Sequence, residues 1–145
     1  MEINFFAPVR VAQAFAPLLK AATGAALVDI HSVASWLAFG EAYSASKAAI
    51  WSATNAMRLE LAPHGVLVSG VHVGYVNTRM AAHTDNAKMD PNDLVSTIYD
   101  GFAGDLTEVI ADDLSARVKA GLSGPLEVFY PQFADRAPVS TENRD

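Results

Sequence analysis

Three residues between Asp29 and Lys47 have the types and spacing that proton transfer requires. Tyr43 and Lys47 lie four positions apart in Tyr-Ser-Ala-Ser-Lys, and Ser32 follows a short apolar run upstream. Residues four apart on a helix share a face, so the lysine ammonium would lie near the tyrosine hydroxyl. A free phenol has a pKa of about 10, and a nearby cation favours its phenolate form. The pattern predicts Tyr43 as a general acid/base supported by Lys47, with Ser32 holding a substrate oxygen.

Each of these residues also has a purely structural interpretation. In the structural interpretation, Tyr43 and Lys47 simply lie at the start of a helix, and the lysine is exposed to solvent. The hydroxyl of Ser32 is able to satisfy a backbone group at the end of its strand. Ser35, in the same loop, is a competing candidate for the catalytic serine.

The elements that position these residues alternate between apolar strands and helices. The hydrophobic pattern predicts doubly buried strands at 25–32 and 66–73 and a third strand at 107–111. Helices are predicted at 2–22, 43–62 and 91–103, and from Asp112 or Asp113 to about 120. Pro17 is expected to kink or loosen the first helix. We predict an α/β domain over 1–120 with about three parallel strands, followed by an irregular, partly disordered tail at 121–145.

Composition narrows the functional classes. The chain has 145 residues, 51% of them hydrophobic, which is enough for one domain with a core. Its net charge of -6 argues against a nucleic-acid or anionic membrane partner. It contains no cysteine, so disulfides and thiolate metal sites are excluded. A signal peptide or an apolar run of membrane-spanning length is not apparent, so we expect a cytoplasmic protein.

The order of these motifs resembles one known family over nearly the whole chain. An apolar run into Ser32, Tyr-Ser-Ala-Ser-Lys, a helix of small residues, a second apolar run and Gly-Tyr-Val-Asn-Thr at 74–78 resemble the short-chain dehydrogenase/reductase family. The resemblance implies a doubly wound, Rossmann-like parallel sheet. It also implies hydride transfer between NAD or NADP and a small carbonyl or alcohol substrate, with Lys47 also bonding the nicotinamide ribose.

The resemblance assigns roles to further residues. Asn4 matches the asparagine that holds a relay water, although an asparagine at a helix start is often a cap. Gly74 permits close approach to a flat ring, with Val73 in place of the family's usual proline. The Val76 backbone and the Thr78 hydroxyl match groups that fix the nicotinamide carboxamide. Thr78 is equally suited to cap a short helix.

His31 and His72 lie near the ends of adjacent predicted strands. Two histidines without an acidic partner at helical spacing are too few for a metal site, so we interpret them as core or pocket-wall residues and predict no metal. Trp36, Leu37 and Phe39, between Ser32 and Tyr43, are candidates for lining an apolar substrate pocket.

The glycine-rich turn that binds the cofactor pyrophosphate in this family does not occur in the sequence. We therefore interpret the chain as the carboxyl-terminal half of such an enzyme, from a truncated reading frame or a gene remnant. The edge of the strand at 25–32 would then be unpaired, and cofactor affinity would be weak.

Two main functions follow from this interpretation. The first is oxidoreductase activity. The second is an inactive association module, which uses the helices at 2–22 and 43–62 to form a homo-oligomer or to pair with a full-length relative. A non-redox family member such as an epimerase is a third alternative, because Tyr-x-x-x-Lys serves several chemistries.

Overall fold

The computed structural model describes residues 1–134, which form a parallel sheet flanked by helices. The strands are β1 (Ala26–Ile30), β2 (Leu67–His72) and β3 (Glu108–Ile110). The helices are α1 (Ala7–Ala21), α2 (Ala42–Leu61), α3 (Pro91–Ala103) and α4 (Asp113–Gly121). One π-helical turn, Glu2–Phe6, precedes α1. Short 3-10 turns lie at Val33–Ser35, Ala62–His64, Arg79–Ala81, Leu126–Val128 and Pro131–Phe133.

The three strands are parallel and lie in the order β1-β2-β3. In the register of the first pair, Ala26 lies opposite Leu67 and Ile30 opposite Val71. In the second pair, Gly70 lies opposite Glu108. This confirms the predicted α/β class with about three parallel strands. Parallel pairing also brings the carboxyl ends of β1 and β2 to the same edge, where open α/β sheets bind ligands.

Burial differs sharply between β1 and β2. Five of the six β2 residues are buried, whereas four of the five β1 residues are half-buried and the fifth, Ile30, is 46% exposed. The prediction that the first strand is buried on both faces was therefore wrong. Within residues 1–134, β1 pairs on one side only, with β2, and so forms the edge of the sheet.

Side-chain caps begin two of the helices where the sequence predicted them. Asp90 Oδ1 accepts the Asn92 N–H at 2.8 Å before α3, and Asp112 Oδ1 accepts the Ser115 N–H at 2.7 Å before α4. Pro17 lies inside α1, which nevertheless continues to Ala21.

The packing of the helices fixes both α2 and α3 on the sheet. Leu61 at the end of α2 joins Val66 and Val68 in a buried cluster. On α3, Gly101 lies so close to Val109 of β3 that a side chain at this position would clash. The absence of a Cβ therefore lets this helix approach the strand closely.

The carboxyl-terminal segment returns to the loop between β1 and α2. The Tyr130 hydroxyl accepts the Ala38 N–H at 2.7 Å. The predicted irregular tail covers these short turns, and its last part, 135–145, lies outside the described residues. The division between a domain at 1–120 and a tail at 121–145 remains a prediction.

Within the described part of the chain, every helix is too short or too polar to cross a bilayer.

Candidate active site

A cavity of about 650 Å³ opens at the carboxyl ends of β1 and β2. Its lining includes the seven residues to which the sequence analysis assigned catalytic or cofactor-binding roles, which are Asn4, Ser32, Tyr43, Lys47, Gly74, Val76 and Thr78. They come from the first helical turn, the end of β1, the first turns of α2 and the loop after β2. Residues that are distant in sequence therefore meet around one space.

Ser32 follows β1 and is 7% exposed. Its Oγ accepts the Ala34 N–H at 3.1 Å and so begins the 3-10 turn Val33–Ser35. The structural role considered for this serine is therefore present. Its hydroxyl hydrogen is still available to donate to a ligand oxygen, because the contact with Ala34 uses only an acceptor lone pair. The competing Ser35 lines a smaller recess with Trp36 and Tyr130 instead.

Tyr43 and Lys47 lie on successive turns at the start of α2. The Tyr43 N–H donates to the Gly40 carbonyl at 2.8 Å, and the Gly40 N–H donates to Ser44 Oγ at 3.0 Å. These contacts fix the loop that leads into the helix. Lys47 Nζ donates to the Ile30 carbonyl at 2.9 Å and lies 5.9 Å from the centre of the Tyr43 ring. The lysine is half-buried and attached to β1, which differs from the exposed lysine of the structural alternative.

The electrostatic surroundings of Lys47 come from the sheet. Burial lowers the pKa of Lys47 below its ordinary value of 10.5, and the carboxylate of Asp29 on β1 acts in the opposite direction. Asp29 also accepts a hydrogen bond from Thr54 Oγ1 at 2.7 Å. The ammonium is therefore held between the end of β1 and the proposed acid/base Tyr43.

Asn4 is connected to the same helix through a residue that sequence reasoning missed. Its Nδ2 donates to Ser46 Oγ at 3.1 Å, and the Ser46 hydroxyl donates to the Tyr43 carbonyl at 2.7 Å. The side chain does not cap the turn Glu2–Phe6, whose N-terminal flanking residue is Met1. The cap alternative is thus wrong, while the relay role remains a prediction. The only sequence signal for Ser46 was its place between Tyr43 and Lys47.

Residues 74–78, which we call the pocket wall, contribute Gly74, Tyr75, Val76 and Thr78 to the cavity lining. The Tyr75 carbonyl accepts the Met89 N–H at 2.8 Å, and the Asn77 N–H donates to the Met89 carbonyl at 2.9 Å. Thr78 directly precedes the turn Arg79–Ala81, yet its hydroxyl donates to the Val76 carbonyl at 3.3 Å rather than capping that turn. Backbone contacts with Met89 thus attach the wall to the segment that directly precedes α3.

Gly74 lies against α4 rather than facing open space. Its N–H donates to Asp112 Oδ2. A Cβ at this position would lie 3.1 Å from both Asp112 Oδ2 and Leu114 Cδ2, which is tight for a side chain. This close approach is a sufficient physical reason for glycine here, in addition to the predicted approach of a flat ring. Sequence reasoning gave Asp112 only the role of a helix cap.

The two histidines stack inside the protein. The ring centres of His31 and His72 are 4.8 Å apart, and the Trp36 ring stacks on the other face of His72 at 3.9 Å. Burial lowers the pKa of His31 to about 4, with Lys47 and Arg58 adding to the effect. Burial also lowers the pKa of His72 to about 3, with His31 and Lys119 among the further causes. These rings are core residues, and His31 also contributes to the cavity wall.

The loop residues that were candidates for a substrate pocket divide between two places. Phe39 lines the cavity and is 53% exposed, whereas Trp36 and Leu37 line the smaller recess. Among residues 1–134, no group of three or more histidine, aspartate or glutamate side chains is arranged to hold a metal ion.

The parallel sheet, with polar groups converging beyond its carboxyl ends, defines a Rossmann-like α/β class. Residues 1–89 match the protein-family model for short chain dehydrogenases. This chain therefore belongs to the short-chain dehydrogenase/reductase family. It is 48% identical over 82 residues to short-chain dehydrogenase PC-15 of Penicillium crustosum, covering 53% of this chain and 29% of that protein. It is 34% identical over 136 residues to rat (Rattus norvegicus) estradiol 17-beta-dehydrogenase 2, covering 92% of this chain and 34% of that protein.

The fold is also similar to a solved structure. A short chain dehydrogenase from Burkholderia cenocepacia, in complex with NADP, superposes with a TM-score of 0.84 at 29% identity. The match covers 91% of this chain and 58% of that one. The chain thus spans about a third of the length of the two relatives compared above, and somewhat more than half of this solved structure.

Proposed function

We propose that this chain takes part in hydride transfer between NAD or NADP and a carbonyl or alcohol carbon. The observation that carries the proposal is the convergence of Ser32, Tyr43 and Lys47 with the pocket wall around one cavity. Membership of the family and the NADP bound by the Burkholderia relative support it. The bound nicotinamide would supply the hydride acceptor or donor.

The residues of the cavity offer suitable groups for such a cofactor. Lys47 Nζ uses one hydrogen on the Ile30 carbonyl and has two more to donate to ribose hydroxyls. The Val76 backbone and the Thr78 hydroxyl lie on the same cavity and provide polar groups for a carboxamide. We propose these three residues and Gly74 as the nicotinamide contacts.

The proton follows a separate route from the hydride. In the direction of alcohol oxidation, the Tyr43 phenolate accepts the hydroxyl proton while Ser32 holds the same oxygen. In the direction of carbonyl reduction, the Tyr43 hydroxyl donates that proton to the developing alkoxide. Lys47 places its ammonium 5.9 Å from the centre of the Tyr43 ring, and Asn4 joins the relay that returns the proton to solvent.

The lining of the cavity favours neutral, apolar substrates. Phe39, Met80 and Leu94 contribute apolar surface, and among the described residues that line the cavity there is no carboxylate or guanidinium. A cationic substrate group would therefore lose its hydration without gaining an opposite charge, and the one ammonium in this lining, Lys47, is assigned to the cofactor ribose. The rat relative is named for estradiol, and we propose a lipophilic ketone or secondary alcohol as the substrate class.

Cofactor binding by the chain itself is the first test. We expect saturable binding of NADPH or NADH at micromolar concentrations, measured by energy transfer from Trp36 and Trp51. Lys47→Met is expected to weaken binding about tenfold or more, because a charge-assisted contact is lost. Lys20→Met is the matched control, since Lys20 pairs with Glu60 on the outer helices at 2.9 Å. A folded chain that binds neither cofactor would contradict the proposed function.

Association is a second candidate function, supported by apolar surface on the outer helices. On α1, the side chains of Val11, Phe15 and Leu18 are 55%, 55% and 66% exposed, and Leu59 of α2 is 81% exposed. The first three are spaced by four and three residues and so form one stripe. We expect light scattering to show a dimer or larger species, and Phe15→Glu with Leu18→Glu to convert it to a monomer. A monomer in the unmodified chain at high concentration would contradict self-association, and mixing with a full-length relative would then test hetero-association.

The cytoplasmic location expected from the sequence stays a prediction.

A further inference from the structure

The pocket wall is attached to the rest of the protein at three places. The Val33 N–H donates to the Val73 carbonyl at 2.9 Å, directly before the wall. Met89 exchanges backbone hydrogen bonds with Tyr75 and Asn77. The third attachment, between the Gly74 N–H and Asp112, uses a side chain and joins the wall to α4. Because it depends on one carboxylate, it is the attachment that a substitution can remove without altering the backbone.

Asp112 is itself held in place at both oxygens. Oδ1 accepts the Ser115 N–H at 2.7 Å at the start of α4, and Oδ2 accepts the Gly74 N–H. The amino-terminal end of a helix favours a negative charge, so α4 stabilises the carboxylate in this orientation. Leu114, on the first turn of the same helix, lies against Gly74 as well. Asp112 and Leu114 of α4 therefore both contact Gly74, and these two contacts fix where the pocket wall lies against the helix.

We propose that Asp112 is a positioning residue, which fixes the position of the pocket wall relative to α4 by accepting a hydrogen bond from the Gly74 amide. The inference rests on the proposed function, since the wall carries the nicotinamide contacts Val76 and Thr78. The position before Gly74 is valine, which leaves this segment freer than the family's usual proline would. A side-chain attachment 38 residues away supplies the constraint from outside the segment.

Asp112→Ser separates the two roles of the residue. A serine hydroxyl is a good helix cap and can retain the contact with Ser115, whereas its shorter side chain with a single oxygen cannot also reach Gly74. Asp113→Ser is the matched control. Asp113 is exposed, directly follows Asp112 and lies in the first turn of the same helix. Both variants lose the same charge at the same helix end, and only the first loses the contact with the wall.

Amide hydrogen exchange, measured by NMR in the absence of cofactor, reports whether the Gly74 amide is still hydrogen-bonded. We expect the Gly74 amide to exchange about tenfold faster or more in Asp112→Ser, since a hydrogen bond to a charged acceptor is lost. Amides in β2 are expected to exchange at the same rates in Asp112→Ser and Asp113→Ser, which would confine the change to the wall. An unchanged Gly74 exchange rate in a folded Asp112→Ser protein would overturn the proposal.

Cofactor affinity is the second readout, in titrations with NADPH alone. We expect Asp112→Ser to raise the Kd for NADPH about fivefold to tenfold relative to Asp113→Ser. Faster Gly74 exchange with an unchanged Kd would overturn the role in cofactor positioning. Failure of the unmodified chain to bind NADPH would instead contradict the proposed function, and the exchange rates would still decide whether Asp112 holds the wall.

Discussion

Tyr43→Phe is expected to lower the rate of ketone reduction by about 10²- to 10⁴-fold, the usual contribution of a general acid/base. The substitution removes one oxygen and leaves an aromatic ring at the start of α2. Loop contacts that involve the Tyr43 backbone, such as its hydrogen bond to Gly40, do not depend on the hydroxyl. The measurement is NADPH consumption by the purified chain with a neutral ketone such as benzophenone.

Two controls give this result its meaning. NADPH affinity of Tyr43→Phe should stay within about threefold of the unmodified chain, because loss of a group that acts in the transition state lowers kcat rather than binding. Tyr99→Phe removes a hydroxyl from a tyrosine on α3 that is 68% exposed and lies outside the cavity lining. Its activity should match the unmodified chain. Retention of most activity in Tyr43→Phe would refute the assignment of Tyr43 as acid/base.

Local spacing explains why part of the site was accessible from sequence. Tyr43 and Lys47 share a helix face by the geometry of α2, and both line the cavity. Ile50, Thr54 and Leu61 are buried, while Ser44 and Ser46 are buried as well because they contact the loop before the helix and the Tyr43 carbonyl.

Contacts between distant segments explain what the sequence did not reveal. Asp112 is a helix cap by its local pattern, and only the parallel pairing of β2 with β3 brings it beside Gly74. The exposure of β1 likewise depends on which strands lie beside it, and an apolar run in the sequence does not indicate which strands those are. The hydrophobic pattern predicted the elements and their order, whereas these contacts depend on register and packing.

The histidine stack has the same origin. In the sheet register, residues 31 and 72 follow the paired ends of adjacent strands, their rings stack on each other, and Trp36 stacks on His72. Gly70 makes room for this arrangement, since a Cβ there would lie 2.9 Å from His31 Cδ2. The sequence placed both histidines near strand ends but gave no indication that their rings would stack.

The stack leads to a strong dependence of stability on pH. The groups that face it are the cations Lys47, Arg58 and Lys119 and the carboxylates Asp29 and Glu108. Glu108 Oε1 lies 3.4 Å from His72 Nε2 without hydrogen-bond alignment, and its other oxygen pairs with Lys119. The surroundings therefore offer a protonated imidazole little compensation for its burial. Both rings should remain neutral in the folded protein down to about pH 4.

The direction of the effect follows from where the protons bind. Above about pH 7.5, both histidines are neutral in the folded and unfolded states, so the free energy of unfolding does not depend on them. As pH falls from 6.5 toward 4, the unfolded chain takes up protons that the folded protein excludes. Stability is therefore lost, with a slope that approaches about 2.7 kcal/mol per pH unit for two such groups.

Paired substitutions isolate this contribution in urea unfolding between pH 7 and 4.5. His72→Gln removes one buried titratable ring, so its slope should be smaller than that of the unmodified chain by up to about 1.4 kcal/mol per pH unit, even though loss of the stack lowers stability at every pH. His64→Gln removes an exposed histidine that ends the turn after α2, and its slope should match the unmodified chain. Carboxylates titrate in all three proteins and cancel in the comparison. Equal slopes for His72→Gln and His64→Gln would show that the buried stack does not exclude protons, because the exclusion requires the burial that distinguishes the two sites.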